Sequence, residues 1–475
     1  MVTPQAGSVA DLMKEAEAAF DALDYAQAED KLDDVLAQSP THVPALNAMA
    51  QICWHRYHDP RSAQTFFDTA AALAPGNADL WLNRAQNLHF IGNHVGAVRE
   101  VKAALQQNPE LARGYALLED YGEIAHGDEH YQRLMTMALD PRFPKKARAT
   151  ALFTLGHVHD KIKDYTAAFD FIHAANEVRN ENFEPRSATL FNEYLTDAFE
   201  TAQPLPTLPP LADAPKLVFV VGMPRSGSTL IEQILTTQDG VESIGEASFM
   251  PRIWQKVIEE CFGGEISNET PLERLGEFLT VERLEQLRAA YVDDVAIACR
   301  QPGLTHVVDK QLSSAKIVPV LASLFPDATI IQTCRHPLDV GLSCYFQNFA
   351  EINFSNRLMT IGAAYRAWHR CYATWSRFAF PNVYNVVHER LVFDKDVELP
   401  RLLNACDLPF DDEALHPERS HNIVKTASTV QVREPISSRG IGRWRHYADH
   451  LGPLVLGLGG WEWIRANAPE QPVTH

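Results

Sequence analysis

Cysteine, positive charge and long apolar runs are all scarce in this sequence. Its 475 residues include seven cysteines, and no two of them form a Cys-x-x-Cys pair. An odd, widely spaced set excludes a disulfide framework and a zinc knuckle, and it predicts thiols in a reducing compartment. Lys and Arg number 42 against 61 Asp and Glu, a net charge of −19. That balance excludes broad wrapping of nucleic acid or of an anionic membrane, but it leaves room for a local basic pocket. No apolar stretch approaches the ~20 residues that span a bilayer. The N-terminus lacks a basic segment followed by an apolar one. A soluble, cytoplasmic chain is expected, with neither nucleic acid nor membrane as partner. His-Glu-x-x-His, Asp-rich loops and clustered His/Cys ligands are also missing, so no metal is expected. What is present is ordinary globular composition, 46% hydrophobic and 22% charged, enough for two to four domains.

The first half repeats. Pro40, Pro75 and Pro109 follow one another at near-constant spacing. Ala28, Ala63 and Ala97 each precede their proline by the same interval, and Val35, Ala70 and Ala104 do so by a shorter one. Small residues there let two helices approach closely, and the proline ends the second helix because it lacks the N–H. Trp81 stands where a large aromatic anchor is expected. The stretch from Tyr115 to Pro141 reads as a degenerate fourth copy. A fifth lacks its proline: Leu155, Gly156, Asp164-Tyr165, Ala168 and Ala175, which match Asp24-Tyr25 and Ala28 of the first. A period near 34 with this pattern resembles the tetratricopeptide repeat, a helix–turn–helix unit that stacks into an all-α solenoid. The resemblance implies a concave surface that docks a peptide or protein partner.

Residues 203–215 are dense in proline and are expected to form an extended linker. The expected division is therefore a helical repeat domain at 1–202, the linker, and a second domain at 216–475. In that second domain Leu217–Val221, His306–Asp309, Thr329–Thr333 and Val383–Val387 read as strands. Helical patterns lie between, at 228–236, 283–299, 314–324 and 356–378. Strands alternating with helices predict an α/β domain with a parallel sheet.

Gly222-Met-Pro-Arg-Ser-Gly-Ser-Thr-Leu230 follows the first strand directly. Gly222 and Gly227 have the spacing of a P-loop, G-x-x-x-x-G. Ser228 stands where a nucleotide triphosphatase has its lysine. The turn and the helix N-terminus still form an anion cradle, and Arg225 places a bidentate cation inside it. Such a loop suits an oxyanion on a nucleotide without a triphosphate. Downstream, Arg335 ends the strand Thr329–Thr333, and Ser343 follows on the next helix. Together they offer a charge-assisted donor and a hydroxyl.

At this point the sequence resembles the PAPS-dependent sulfotransferases. Pro224-Arg-Ser-Gly-Ser-Thr-Leu230 looks like their 5′-phosphosulfate loop, in the arginine form of the Golgi and protein-tyrosine branch. Arg335 and Ser343 look like the 3′-phosphate site. Val387-His-Glu-Arg-Leu-Val392 resembles a family segment, with His388 in place of its tyrosine. Ser428 and Arg443, with Arg439 nearby, resemble the C-terminal serine and cation that contact the cofactor. The resemblance covers roughly residues 216–450. It implies cofactor contacts from Arg225, Ser226, Gly227, Ser228, Thr229, Leu230, Arg335, Ser343, His388, Arg439 and Arg443.

It implies transfer of a sulfuryl group from PAPS to an acceptor hydroxyl: a protein tyrosine, a carbohydrate or a metabolite. Charge gathers on the leaving phosphate oxygen, so position, cations and a base must be supplied. Gly245-Glu246 matches the protein-tyrosine branch and makes Glu246 the base, with His336 or His388 as fallback. Lys310, at a strand end, is the leaving-group cation. Arg225 shares that role, and Ser428 donates to the bridging oxygen. Two other readings compete: a kinase-like P-loop enzyme using ATP, and a repeat-based interaction protein whose nucleotide-binding domain is inactive.

Overall fold

The computed structural model describes residues 7–22, 24–57, 59–179, 195–197, 199–200, 204–212, 214–264, 274–299, 303–349, 352–378, 380–419 and 435–471. Two compact units divide between Val158 and His159.

The first unit is helical. Its helices run α1 (Val9–Asp21), α2 (Tyr25–Gln38), α3 (Val43–His55), α4 (Pro60–Leu73), α5 (Ala78–Phe90), α6 (His94–Gln107), α7 (Ala112–Asp120), α8 (Glu129–Leu139) and most of α9 (Lys145–Lys161). The repeat is visible in its caps. Asp24, Asp59 and Asn93 cap α2, α4 and α6, accepting from the backbone N–H of Gln27, Ser62 and Gly96 at 3.1, 3.0 and 2.9 Å. Each satisfies a donor that the first helical turn leaves open. Ser39, Ala74 and Asn108 end the same helices, and Pro40, Pro75 and Pro109 come next. Ala28, Ala63, Ala97, Val35, Ala70 and Ala104 are completely buried, as a close helix–helix approach requires. The degenerate copy after Tyr115 is also a helix pair, α7 with α8.

The second unit holds α10 (Tyr165–Arg179) and a five-stranded sheet. The strands are β1 (Lys216–Gly222), β2 (Val241–Gly245), β3 (His306–Asp309), β4 (Thr329–Cys334) and β5 (Val383–Val387), in the order β2-β3-β1-β4-β5. Every pairing is parallel. Successive side chains of β1 bury on opposite faces, as the pleat dictates. Val218 and Val220 pack with Ile231 and Ile234 of the helix Ser228–Leu235 and with Leu399 and Leu402 of the helix Lys395–Ala405. Phe219, on the other face, meets the rings of Tyr291 and Phe325. Both faces are covered, which is why the strands read as continuous apolar runs.

Four of the five strands fall where the sequence predicts. β2 does not stand out in the sequence, because Glu242 and Ser243 interrupt its apolar pattern. The segment 314–324 begins as a 3-10 turn, Leu312–Ile317, and becomes α-helical at Val318. The proline-rich stretch belongs to the second unit rather than lying between units. The Leu208 amide donates to the Ser323 carbonyl at 2.9 Å, and the Pro209 carbonyl accepts from Arg288 at 2.6 Å. Proline prevents helix there but leaves carbonyls that still accept. Among the described residues no helix is long and apolar enough to cross a membrane.

Candidate active site

In an open parallel sheet, ligands bind beyond the carboxyl ends of the strands. Four adjacent strands of this sheet end in a residue marked by the sequence: β3 in Lys310, β1 in the phosphate loop, β4 in Arg335 and β5 in His388. Gly245 closes β2, and Glu246 follows it.

The loop is held from both sides. Gly222 has φ +153° and pairs with Thr333 across β1 and β4; a Cβ there would lie 2.2 Å from Thr333 Oγ1. Gly227 has φ +100°, and a Cβ there would meet the His388 ring at 2.4 Å. Only glycine fits either place. Arg225 adopts φ +68°, left-handed for a non-glycine residue. Such backbone persists where surrounding contacts over-determine it. Those contacts are visible. Arg225 Nε donates to Ser343 Oγ at 2.9 Å, and its carbonyl accepts from Arg335 Nη1 at 3.1 Å. The Ser226 hydroxyl donates to the Met223 carbonyl at 2.6 Å, and the Ser226 and Leu230 amides donate to Met223 and Gly227. Ser226 and Leu230 therefore close the turn, while Ser228 and Thr229 open the following helix.

Arg225 and Arg335 are drawn together where the Arg225 carbonyl accepts from Arg335. Burial, and then each other's charge and that of Arg443, hold Arg225 down at about 10. Burial likewise lowers Arg335, and Arg443 adds to it against the pull of Asp339 and Glu389. Arg335 Nε is buried with no acceptor among the described residues. An oxyanion in the cradle would give that Nε an acceptor and offset the clustered positive charge of Arg225, Arg335 and Arg443.

Across the sheet, Lys310 is fully buried. Its ammonium donates to Glu246 Oε1 at 2.7 Å and lies 3.4 Å from Glu232 Oε2. Burial alone depresses a lysine, but the two carboxylates hold this one above its usual value. Glu246 keeps 48% of its side chain exposed, so it faces solvent while bound to a buried cation. Asp309 beside it is pushed up to about 7, chiefly by burial, although the Tyr291 hydroxyl donates to it at 2.6 Å.

The histidines are less suited to proton transfer. Burial first, and nearby cations after it, push His336 down to about 4. Its ring stacks on Trp444, and its Nδ1 accepts from the Leu338 amide at 3.3 Å. It is a helix cap. His388 is held well below its usual value by burial and by Arg335, and it packs against Gly227. Ser428 lies outside the described residues.

Arg443 departs from the expected geometry. It pairs with Asp160 Oδ2 at 2.9 Å and lies over the Phe346 ring at 4.7 Å. Its charge still reaches the two loop arginines, but its guanidinium is held by the end of α9. Arg439 is exposed. The neighbouring Gly440 carbonyl accepts from Arg335 Nη2. Asp339 draws the same segment inward, accepting from the Gly442 amide at 2.7 Å and the Trp444 amide at 3.0 Å. Sequence reasoning missed Asp339, Asp160 and Glu232. For Glu232 a signal existed: it follows Ser228 by one helical turn, on the helix that opens at the loop.

The Sulfotransferase family model matches residues 215–412 of this chain. An uncharacterised Aquifex aeolicus protein is 32% identical over 382 residues, covering 78% of this chain and 49% of that protein. Zebrafish (Danio rerio) protein-tyrosine sulfotransferase 1 is 24% identical over 246 residues, covering 48% of this chain and 65% of that one. The chain thus spans half to two thirds of the length of these relatives. Among solved structures, the sulfotransferase domain of the Synechococcus PCC 7002 olefin synthase is 18% identical, with a TM-score of 0.39 over 56% of this chain and 99% of that one. The similarity to the sulfotransferase family thus lies in the α/β region of this chain, residues 215–412.

Proposed function

We propose that this protein transfers a sulfuryl group from PAPS to an acceptor hydroxyl. The observation that carries the reading is the convergence, beyond the strand ends, of an anion cradle with two arginines and a buried lysine bonded to a half-exposed glutamate. PAPS, when bound, supplies the sulfuryl group and a phosphate leaving group.

The chain's own residues do the rest. Arg225, Gly227, Ser228 and Thr229 hold the 5′ end in the cradle. Arg335 and Ser343 hold the 3′-phosphate, Arg335 through its buried Nε. Ser226 and Leu230 shape the turn, and His388 closes it from behind. Arg439 and Ser428 complete the cofactor contacts from the C-terminal segment, and Arg443 adds only its charge from its place beside Asp160. Glu246 takes the acceptor proton as the acceptor oxygen bonds to sulfur. The electron pair of the breaking S–O bond stays on the phosphate oxygen, where Lys310 and Arg225 meet its charge. The relatives named as protein-tyrosine sulfotransferases favour a phenolic acceptor.

The helix pairs of the first unit are, in this reading, tetratricopeptide-type repeats that dock the acceptor or a partner protein in the cytoplasm. Their shared caps and buried small residues support it.

Thermal unfolding with 3′,5′-ADP, Mg-ATP and 5′-AMP tests the cofactor. A ligand at 100 times its Kd adds about 2.7 kcal/mol to the folded state. The midpoint is expected to rise with 3′,5′-ADP well beyond the other two. A rise with Mg-ATP alone transfers the site to a kinase-like reaction. No rise with any ligand leaves an interaction protein.

A further inference from the structure

Glu232 is 2% exposed, on the helix that follows the phosphate loop. Its Oε1 accepts from the Ser243 hydroxyl of β2 at 2.6 Å, and its Oε2 lies 3.4 Å from Lys310 Nζ. Two carboxylates therefore share one buried ammonium. They differ in setting: Glu246 is half in solvent, whereas Glu232 is enclosed and anchored by a hydroxyl.

We propose that Glu232 is a positioning residue, the fixed counter-charge that holds the Lys310 ammonium at the end of β3 while Glu246 gains and loses its proton. The inference rests on the sulfotransferase reading above. A base becomes neutral when it accepts a proton. If Glu246 were the only carboxylate on Lys310, its protonation would leave the buried ammonium facing the nucleotide phosphate alone, and with no counter-charge at all once that phosphate departs, which is strongly unfavourable. With Glu232 in place, the Lys310–Glu232 pair is neutral in either state of Glu246. Ser243 keeps Glu232 from following the ammonium, so Lys310 stays aimed at one place. Asp309, the remaining carboxylate nearby, is bonded to Tyr291.

Calorimetric titration of the full-length chain with 3′,5′-ADP and with 3′-AMP tests this. The second ligand lacks the 5′-phosphate that Lys310 meets. Glu232→Gln and Lys310→Met are each expected to weaken 3′,5′-ADP tenfold or more and to leave 3′-AMP within twofold. The double variant is expected to bind no worse than Lys310→Met alone, because Glu232 acts through the lysine. Glu232→Asp, which keeps the charge, is expected to recover part of the loss. Equal weakening of both ligands makes Glu232 an ordinary structural residue and overturns the inference, as does additive loss in the double variant. Should Glu232→Gln not fold, the double variant, which buries neither charge, still gives the comparison with Lys310→Met. If the unaltered protein binds neither ligand, the sulfotransferase reading itself fails and takes the inference with it.

Discussion

The two units of this chain bury different chemistry. The first buries alanine and valine at recurring positions, with an aspartate or asparagine capping each second helix. The second buries Lys310, Glu232 and Asp309 around strand ends that are far apart in sequence. A repeat is stabilised by many small, local and equivalent contacts, so losing one costs little beyond its own copy. A convergent site depends on a few charges, each compensated by one or two others, so losing one leaves its partner exposed to a low dielectric.

The largest effect expected falls on turnover. Glu246→Ala should slow it by roughly 10²–10⁴-fold, the usual worth of a general base, while 3′,5′-ADP affinity stays within a few-fold. Following 3′,5′-ADP release from PAPS, with a tyrosyl peptide, a simple phenol and a sugar in turn as acceptor, checks this. Unchanged turnover removes Glu246 as the base.

The next prediction concerns pH. The folded protein holds the Asp309 proton to about 7, whereas an unfolded aspartate releases it near 3.9. The folded state therefore binds the proton more tightly, and this stabilisation is complete below about pH 4 and lost as pH rises through 7. Asp309→Asn stays neutral throughout. Its stability minus that of the unaltered protein should rise by roughly 1.4 kcal/mol per pH unit across that window and level off above it. Urea titrations at several pH values measure the difference, and a flat curve removes Asp309 as a buried acid.

Arg335→Ala should weaken 3′,5′-ADP by about 1.5–3 kcal/mol, the worth of a charged hydrogen bond, and 5′-AMP by much less. Equal losses in calorimetry would take the 3′-phosphate away from Arg335. The smallest expected effect lies in the repeats. Ala63→Leu overpacks a position with no accessible surface and should cost about 1–3 kcal/mol, leaving 3′,5′-ADP affinity unchanged. If affinity falls as well, the contrast between local and convergent stabilisation is too sharp.

How far sequence reasoning reached differs between the units for the same physical reason. Caps, helix-ending prolines and buried alanines act within one or two turns, so they appear as spacing along the chain. The loop from Gly222 to Leu230 was legible too, because strand, glycine turn and helix N-terminus are consecutive. Arg225, Arg335, Ser343, Lys310 and Glu246 could each be named in advance as single residues. Their pairings could not, because Arg225 with Ser343 and Lys310 with Glu246 meet only after the parallel sheet brings the strand ends side by side. Arg443 shows the converse: its position suggested the nucleotide, yet Asp160 at the end of α9 draws its charge away.

By itself, then, the sequence determined the helix pairs, four of the five strands and the anion cradle, because neighbours along the chain create them. Only the tertiary structure decided that Glu232 shares Lys310 with Glu246, and that Arg335 braces the loop by donating to the Arg225 carbonyl. Those choices depend on which charges become buried together, and burial is a property of the packed molecule.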